Sequence, residues 1–354
     1  MARFGVLASV TCLVASGYGA SNATAAPSPS STHGTAGVAY AGSLTLLAGS
    51  VLGPKFEAAT GDGFQGRGAG STTLAQEILS KEISPGVFLA VGKKAIKMLW
   101  PTRSQFAIQL ATDPLVVAYN PKGKYAAQFA AIAGHRQPLS SLYSLLNTSG
   151  LRIARTDPNA DPQGVYFILM MGLAQKTLGL SFDPAATALG VSKVSPFGKT
   201  SQMVDEDSLI PDLQAGEFDA SSAYLSQAIQ YHLPYVALPP TLNFSAPSED
   251  SHYGTVSITL TNGTVDQGDL ITLNETLVLP SSPSAAPTPA DQAADDAFAS
   301  FLLSPSGRAD LKNGGYTLFP PLFFGAAAGT TPSNALPKDL LAAFTAAGGT
   351  TSKG

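Results

Sequence analysis

The sequence predicts an α/β protein of two lobes joined by two crossovers, with a ligand held in the cleft between them. Three observations carry that reading. Apolar strand-like runs such as GVAYA at 37–41 and GVFLAV at 86–91 alternate with helical patterns, which argues for largely parallel sheets flanked by helices. A long apolar stretch, FAIQLATDPLVVAY at 106–119, is broken by Asp113-Pro114, and a second unit follows it. Alternating strands at 253–261 and 270–279 then lead back to C-terminal helices, so the chain crosses twice. In such an arrangement a ligand sits at the helix N-termini that border the cleft.

In order along the chain, the pattern gives a strand at 37–41, then a helix over 43–60 interrupted at Gly53-Pro54. A short strand at 63–68, a helix at 74–81 and a strand at 86–91 follow. The second unit opens near Asn120 with a helix over 138–147, whose proline suits the first helical position. It continues with a strand at 151–154, the turn TDPNADP at 156–162 and a helix over 163–178. Residues 181–201 read as irregular. A helix at 209–216, the segments 218–222 and 223–232 and a strand at 235–238 complete it. Helices over 289–303 and 306–312 close the fold. The expected organisation is 36–117 with 268–325 as lobe I, 118–267 as lobe II and 326–354 as a flexible tail.

Composition narrows the function. The 354-residue chain is only 12% charged, about half the usual share, and its net charge is −4, so no basic surface argues for nucleic acid or an anionic membrane. At the N-terminus, Arg3, an apolar run over 5–15 and the A-x-A-like Ala23-Thr24-Ala25 read as a secretion signal over 1–25. A Pro/Ser/Thr-rich linker over 26–35 follows it. The apolar run is too short to span a bilayer. The single cysteine, Cys12, lies inside the signal. A lipid anchor there is the lesser reading, since Ser9-Val10-Thr11 matches a lipobox poorly. A mature chain without cysteine excludes disulfides and thiolate sites. The Asn-x-Ser/Thr sequons at Asn22, Asn147, Asn243, Asn262 and Asn274 would matter in a eukaryotic host.

The stretch GDGFQGRGAGSTTLAQEI at 61–78 contains a literal G-x-G-x-x-G. A dinucleotide fingerprint must follow a strand and open a helix directly. Here Gly61-Asp62-Gly63 follows a helix and reads as its C-terminal turn, so the nucleotide reading fails. What remains is Gly68-Ala69-Gly70-Ser71 leading into a helix, a small-residue loop that offers backbone N–H groups and hydroxyls to an anion. Other chemistries lack their parts: His135, His232 and His252 have no metal-ligand spacing, and no serine sits in a G-x-S-x-G elbow.

Taken together, Tyr40-Ala41-Gly42-Ser43-Leu44, Gly68-Ala69-Gly70-Ser71, Gly86-Val87-Phe88-Leu89, Ala111-Thr112-Asp113-Pro114-Leu115-Val116, Asp157-Pro158-Asn159-Ala160-Asp161-Pro162 and Ala215-Gly216-Glu217-Phe218-Asp219 with Tyr224-Leu225-Ser226-Gln227-Ala228 resemble one family in the same order. It is the molybdate/tungstate-binding periplasmic proteins of ABC importers, closest to the branch typical of archaea. The resemblance implies a two-lobed type II periplasmic-binding-protein fold with mixed sheets flanked by helices and two crossover strands. It also implies capture of tungstate or molybdate for an ABC permease by an exported, monomeric protein that is neither transmembrane nor an enzyme and uses no cofactor. The oxyanion site it implies comprises Gly42, Ser43, Gly70, Ser71, Asp161 and Tyr224. Hydroxyls of Ser43 and Ser71 and backbone N–H groups at two helix starts would surround the dianion. Plain N-capping is the competing role for both serines, and Thr73 with Gln76 offers a capping box of its own.

In the archaeal-type branch an Asp at the Asp161 position, with a Glu from another helix, completes octahedral coordination of the metal. The glutamate position aligns here with Ala223. Asp161 therefore either ligates Mo or W alone, or turns away from a tetrahedral anion as an Asx-type turn residue, the role expected of Asp157. The departure at Ala223 keeps open a different small anion or organic ligand on the same fold, or a secreted protein that kept the fold without transport.

Overall fold

The computed structural model describes residues 33–352 apart from 193, 194 and 196. The expected signal, Cys12 and nearly all of the linker lie outside the described residues. Strands β1 (Thr35–Ala41), β2 (Gly63–Ala69), β3 (Val87–Val91), β4 (Phe106–Thr112), β5 (Leu115–Tyr119), β6 (Ile153–Ala154), β7 (Ala220–Tyr224), β8 (Tyr235–Ala237), β9 (Ser257–Thr259), β10 (Val265–Gln267), β11 (Thr272–Leu277), β12 (Thr317–Gly325) and β13 (Thr350–Thr351) form three sheets. The first is seven-stranded, in the order β13-β12-β4-β11-β3-β1-β2, and belongs to lobe I. The second, β6-β7-β5-β8, belongs to lobe II, and β9 pairs with β10 alone. The β1, β3, β4 and β5 strands are buried almost throughout, as expected of uninterrupted apolar runs covered on both faces.

The sheets are mixed rather than largely parallel. β1 runs parallel to β2 and β3, but β11 and β12 return antiparallel to their neighbours. The cause is the double crossover: a strand that comes back from the other lobe enters the first sheet from the opposite end. The outward crossover is the Asp113-Pro114 pair, with β4 on one sheet and β5 on the other. A proline cannot extend a central ladder, so the chain leaves the sheet there. Asp113 N donates to Ile271 O at 3.2 Å, which ties the outward crossover to the returning one. The expected boundary at 117 falls inside β5.

Three further expectations are corrected. The helical run does not break at Gly53-Pro54. It continues through Gly42–Leu44, Thr45–Leu47, Ala48–Leu52 and Gly53–Thr60, with Pro54 in the first turn of the last segment and a wide π turn just ahead of it. There the missing N–H and the bulky ring do least harm. A helix at Ala126–Ala133 had no counterpart in the sequence reading. The residues 326–354 are not a flexible tail over their described part. They carry helices Pro332–Ala335 and Lys338–Ala346, and β13 pairs with β12.

Leu340 and Phe344 are buried, and the Phe344 ring packs edge-on against Phe323 with centroids 6.3 Å apart. The high share of small residues hid this: a helix needs only its Leu340 and Phe344 stripe to be held. Phe344→Ala should destabilise the protein by about 3–5 kcal/mol through the cavity it leaves. A chemical-denaturation midpoint equal to wild type would show instead that the segment is not docked.

Among the described residues no helix is long and apolar enough to cross a membrane.

Candidate functional site

Lobe I brings two chain reversals to the cleft. Directly after β1, Gly42 and Ser43 begin the long helical run. Ala41 precedes them without a side-chain cap, so the first amides have no local acceptor. After β2, Gly70 is the N-cap of the Ser71–Ser80 helix, again without a side-chain cap. Neither Ser43 nor Ser71 caps its helix, and the Thr73/Gln76 box does not form because the helix starts at Ser71. Ser71 Oγ instead accepts Val91 N at 3.1 Å, fastening the helix to the end of β3 while its proton stays available to donate. Ser43 Oγ is buried with no partner.

Lobe II supplies the facing wall. The Asp157–Pro162 turn folds on Asp157, whose Oδ1 accepts Asn159 N at 2.9 Å and whose carbonyl accepts Ala160 N and Asp161 N. Asp157 is the turn residue, as expected. Asp161 caps the Pro162–Thr177 helix through Oδ1, which accepts Gln163 N at 3.2 Å, and Pro162 follows at the first helical position. That leaves Asp161 Oδ2 buried and without a partner. Capping and facing the cleft are thus compatible for one carboxylate. Tyr224 ends β7 fully buried with its hydroxyl unpartnered.

The lobes meet closely. A Cβ on Gly70 would lie 2.5 Å from Ala160 O and 3.1 Å from Asp161 Cβ, and Thr73 N donates to Ala160 O at 3.2 Å. Between them lies a cavity of about 600 Å³ lined by, among others, Arg67, Gly70, Asp161, Glu206 and Asp207. The structure thus brings Gly70 and Asp161 of the expected set into one cavity. Gly42 and Ser43 join it through Glu206, and Ser71 stands beside it on the helix that Gly70 caps.

Glu206 is the residue the sequence reading missed. It opens the Glu206–Ala215 helix of lobe II and reaches across the cleft. Its Oε2 accepts Gly42 N at 2.8 Å and its Oε1 accepts Ser43 N at 2.9 Å. Asp207 adds Oδ1 as acceptor for Thr45 Oγ1 at 3.2 Å. The only signal was the run Asp205-Glu206-Asp207, which reads as ordinary acidic residues in a helix's first turn. Ala223, where the resemblance places a glutamate, packs instead in an apolar cluster with Val116, Ile210 and Leu213.

Two buried acids now face each other. Burial pushes the Asp161 carboxyl up to about 6, and the nearby Asp207 and Asp157 add to it. Burial, then the Asp161 charge, holds Glu206 well above the usual carboxylate range. Burial, then Asp161 and Glu206, also keeps the Tyr224 hydroxyl protonated. Arg67, the cation lining the cavity among the described residues, is already engaged by Glu77 through two bonds. Any anion held here relies on neutral donors.

An α/β chain of two crossover-linked lobes, with a cavity between them bordered by helix starts, has the architecture of a solute-binding protein. The chain belongs to the family of bacterial extracellular solute-binding proteins, which it matches over residues 37–317. It is 28% identical to an uncharacterized solute-binding protein of Halobacterium salinarum, over 70% of this chain and 76% of that one. It is 29% identical to a putative ABC transporter molybdenum-binding protein of Haloferax volcanii, over 63% and 68%. To the molybdate/tungstate-binding protein WtpA of Thermococcus kodakarensis it is 26% identical, over 56% and 58%. The fold is shared with the periplasmic molybdate-binding protein of Azotobacter vinelandii, with a TM-score of 0.50 and 16% identity over 80% of this chain and 98% of that one.

Proposed function

We propose that the protein captures a tetrahedral metal oxyanion, tungstate or molybdate, outside the cytoplasm and delivers it as a monomer to an ABC permease. The observation that supports this reading is an interlobe cavity lined by Gly70, Asp161 and Glu206, in which the Glu206 carboxylate spans two backbone N–H groups at a helix start as an oxyanion edge would, with the partnerless Ser43 hydroxyl on one of those two residues and the partnerless Asp161 Oδ2 in the cavity wall. The names of the haloarchaeal and Thermococcus relatives support the choice of anion. Neutral donors suit a dianion that is selected by size, because a fixed cage that fits a large tetrahedron leaves a smaller one short of bonds. Gly42, Ser43, Gly70, Ser71 and Tyr224 form this cage. Within this set, Asp161 Oδ2 is the group that could bond the metal itself. Export follows from the N-terminal signal reading. No covalent chemistry is part of this role.

The test is thermal unfolding of ligand-stripped protein with tungstate, molybdate, sulfate and phosphate in parallel. At about 100 times Kd a ligand adds about 2.7 kcal/mol to stability. Stabilisation by tungstate and molybdate alone is the expected result, and stabilisation by none of the four sinks it. Ser43→Ala should weaken binding by about 1–3 kcal/mol with little effect on the empty protein. Ser71→Ala should cost both, because Val91 N loses its acceptor as well.

A further inference from the structure

Both amides that open the first helical run of lobe I are already taken by a carboxylate of lobe II. Glu206 accepts Gly42 N and Ser43 N with one oxygen each, at 2.8 and 2.9 Å, and is buried there. A carboxylate spanning two adjacent N–H groups makes the contacts that one edge of a tetrahedral oxyanion would make. Its surroundings oppose its charge on balance. Burial and the Asp161 charge outweigh the favourable Ser43 amide and side chain, and the Arg67 guanidinium is held elsewhere by Glu77.

We propose that Glu206 is a built-in occupant of the oxyanion position: it latches lobe II onto Gly42 and Ser43 in the empty protein, and the oxyanion binds by displacing it. The proposal rests on the oxyanion reading above for the identity of the displacing ligand. Displacement follows from charge. A dianion brought beside Asp161 and Glu206 in a cavity lined by neutral donors adds like charge to two buried acids that already oppose each other. It also follows from counting donors: with both amides occupied, the dianion would lose the N–H groups of one of the two helix starts. Glu206 then sets affinity and selectivity together. The ligand binds only the fraction of molecules in which the latch is released, so its apparent Kd is raised by that fraction. An anion unable to span both amides does not displace a carboxylate that does.

The experiment compares wild type, Glu206→Ala and Glu206→Gln as full mature chains. Small-angle scattering of the ligand-stripped proteins reads the latch, and calorimetric titration with sodium tungstate reads the displacement. Wild type should be compact without ligand and Glu206→Ala more open, while Glu206→Gln, which keeps one acceptor oxygen, falls between. Glu206→Ala should bind tungstate about tenfold or more tighter than wild type. Weaker or equal binding overturns the displacement and makes Glu206 a favourable contact of the ligand or a bystander. An empty wild type as open as Glu206→Ala overturns the latch. If the latch is seen but neither protein binds tungstate, molybdate, sulfate or phosphate, the displacement half of the proposal falls together with the oxyanion reading. Thermal melts of the empty variants show that each is folded and so separate these results from misfolding.

Discussion

Lowering the pH from about 8 to about 5 should raise the unfolding free energy of the empty protein by several kcal/mol, since each group of this kind contributes up to about 1.4 kcal/mol per pH unit. The principal group is Asp113 at the outward crossover. It is fully buried, and burial pushes its carboxyl up to about 7 even though Ser226 N and Ser226 Oγ donate to it at 3.1 and 2.5 Å. Asp295 is also raised to about 7 by burial, against the opposing bond from Gly37 N at 2.9 Å.

The sign follows from proton counting. Between the ordinary aspartate value and about 7 the folded protein holds protons that the unfolded chain has released. Stability is therefore fully present below that window, falls as pH rises through it, and stays lost above it. Asp161 and Glu206 are shifted in the same direction and add to the slope. Asp113→Asn keeps the shape and an acceptor for Ser226 but removes the titration, so its profile should be flatter than that of wild type. Urea midpoints across the range read both. A wild-type profile that is level or rises with pH would mean that these carboxylates stay ionised in the fold.

That the buried acids escaped notice in the sequence has a physical reason. A strand's apolar content announces itself, as at 86–91 and 106–119, and so does a proline at a crossover. The helix starts at Gly42 and Gly70 were legible because small residues beside a serine have few other uses in a charge-poor chain. An acidic residue, however, looks the same whether it faces water or closes a cleft. Asp161 drew attention only because it lay in a resembling loop, whereas Glu206 lay between an irregular stretch and a helix whose start was placed three residues too late. Its partners, Gly42 N and Ser43 N, are 164 and 163 residues away, so no local pattern records the pairing. The docked C-terminal helix was missed for the opposite reason. Two buried side chains among alanines, threonines and glycines are enough to hold it, yet too few to show a period.

Replacing Gly70 by alanine should abolish closure of the cleft while leaving each lobe intact. The backbone at Gly70, with φ −54 and ψ 134, is one that alanine adopts freely, so the loop itself is not strained by the change. The obstacle is across the cleft, where the new Cβ would stand 2.5 Å from Ala160 O. That oxygen is backbone and cannot rotate away. It is also held by Thr73 N, so the cheapest relief is for lobe II to retreat. Retreat carries Asp161 away from Ser43 and Ser71, and a ligand that needs donors from both lobes loses half its cage. Oxyanion affinity should fall about 100-fold or more, equivalent to about 2.7 kcal/mol. The melting temperature of the empty protein should change little, and scattering should report a more open shape with or without ligand. Wild-type affinity in a protein that still closes would show that the Asp157–Pro162 turn yields to the extra methyl group. The close approach of Gly70 to Ala160 would then be incidental to binding.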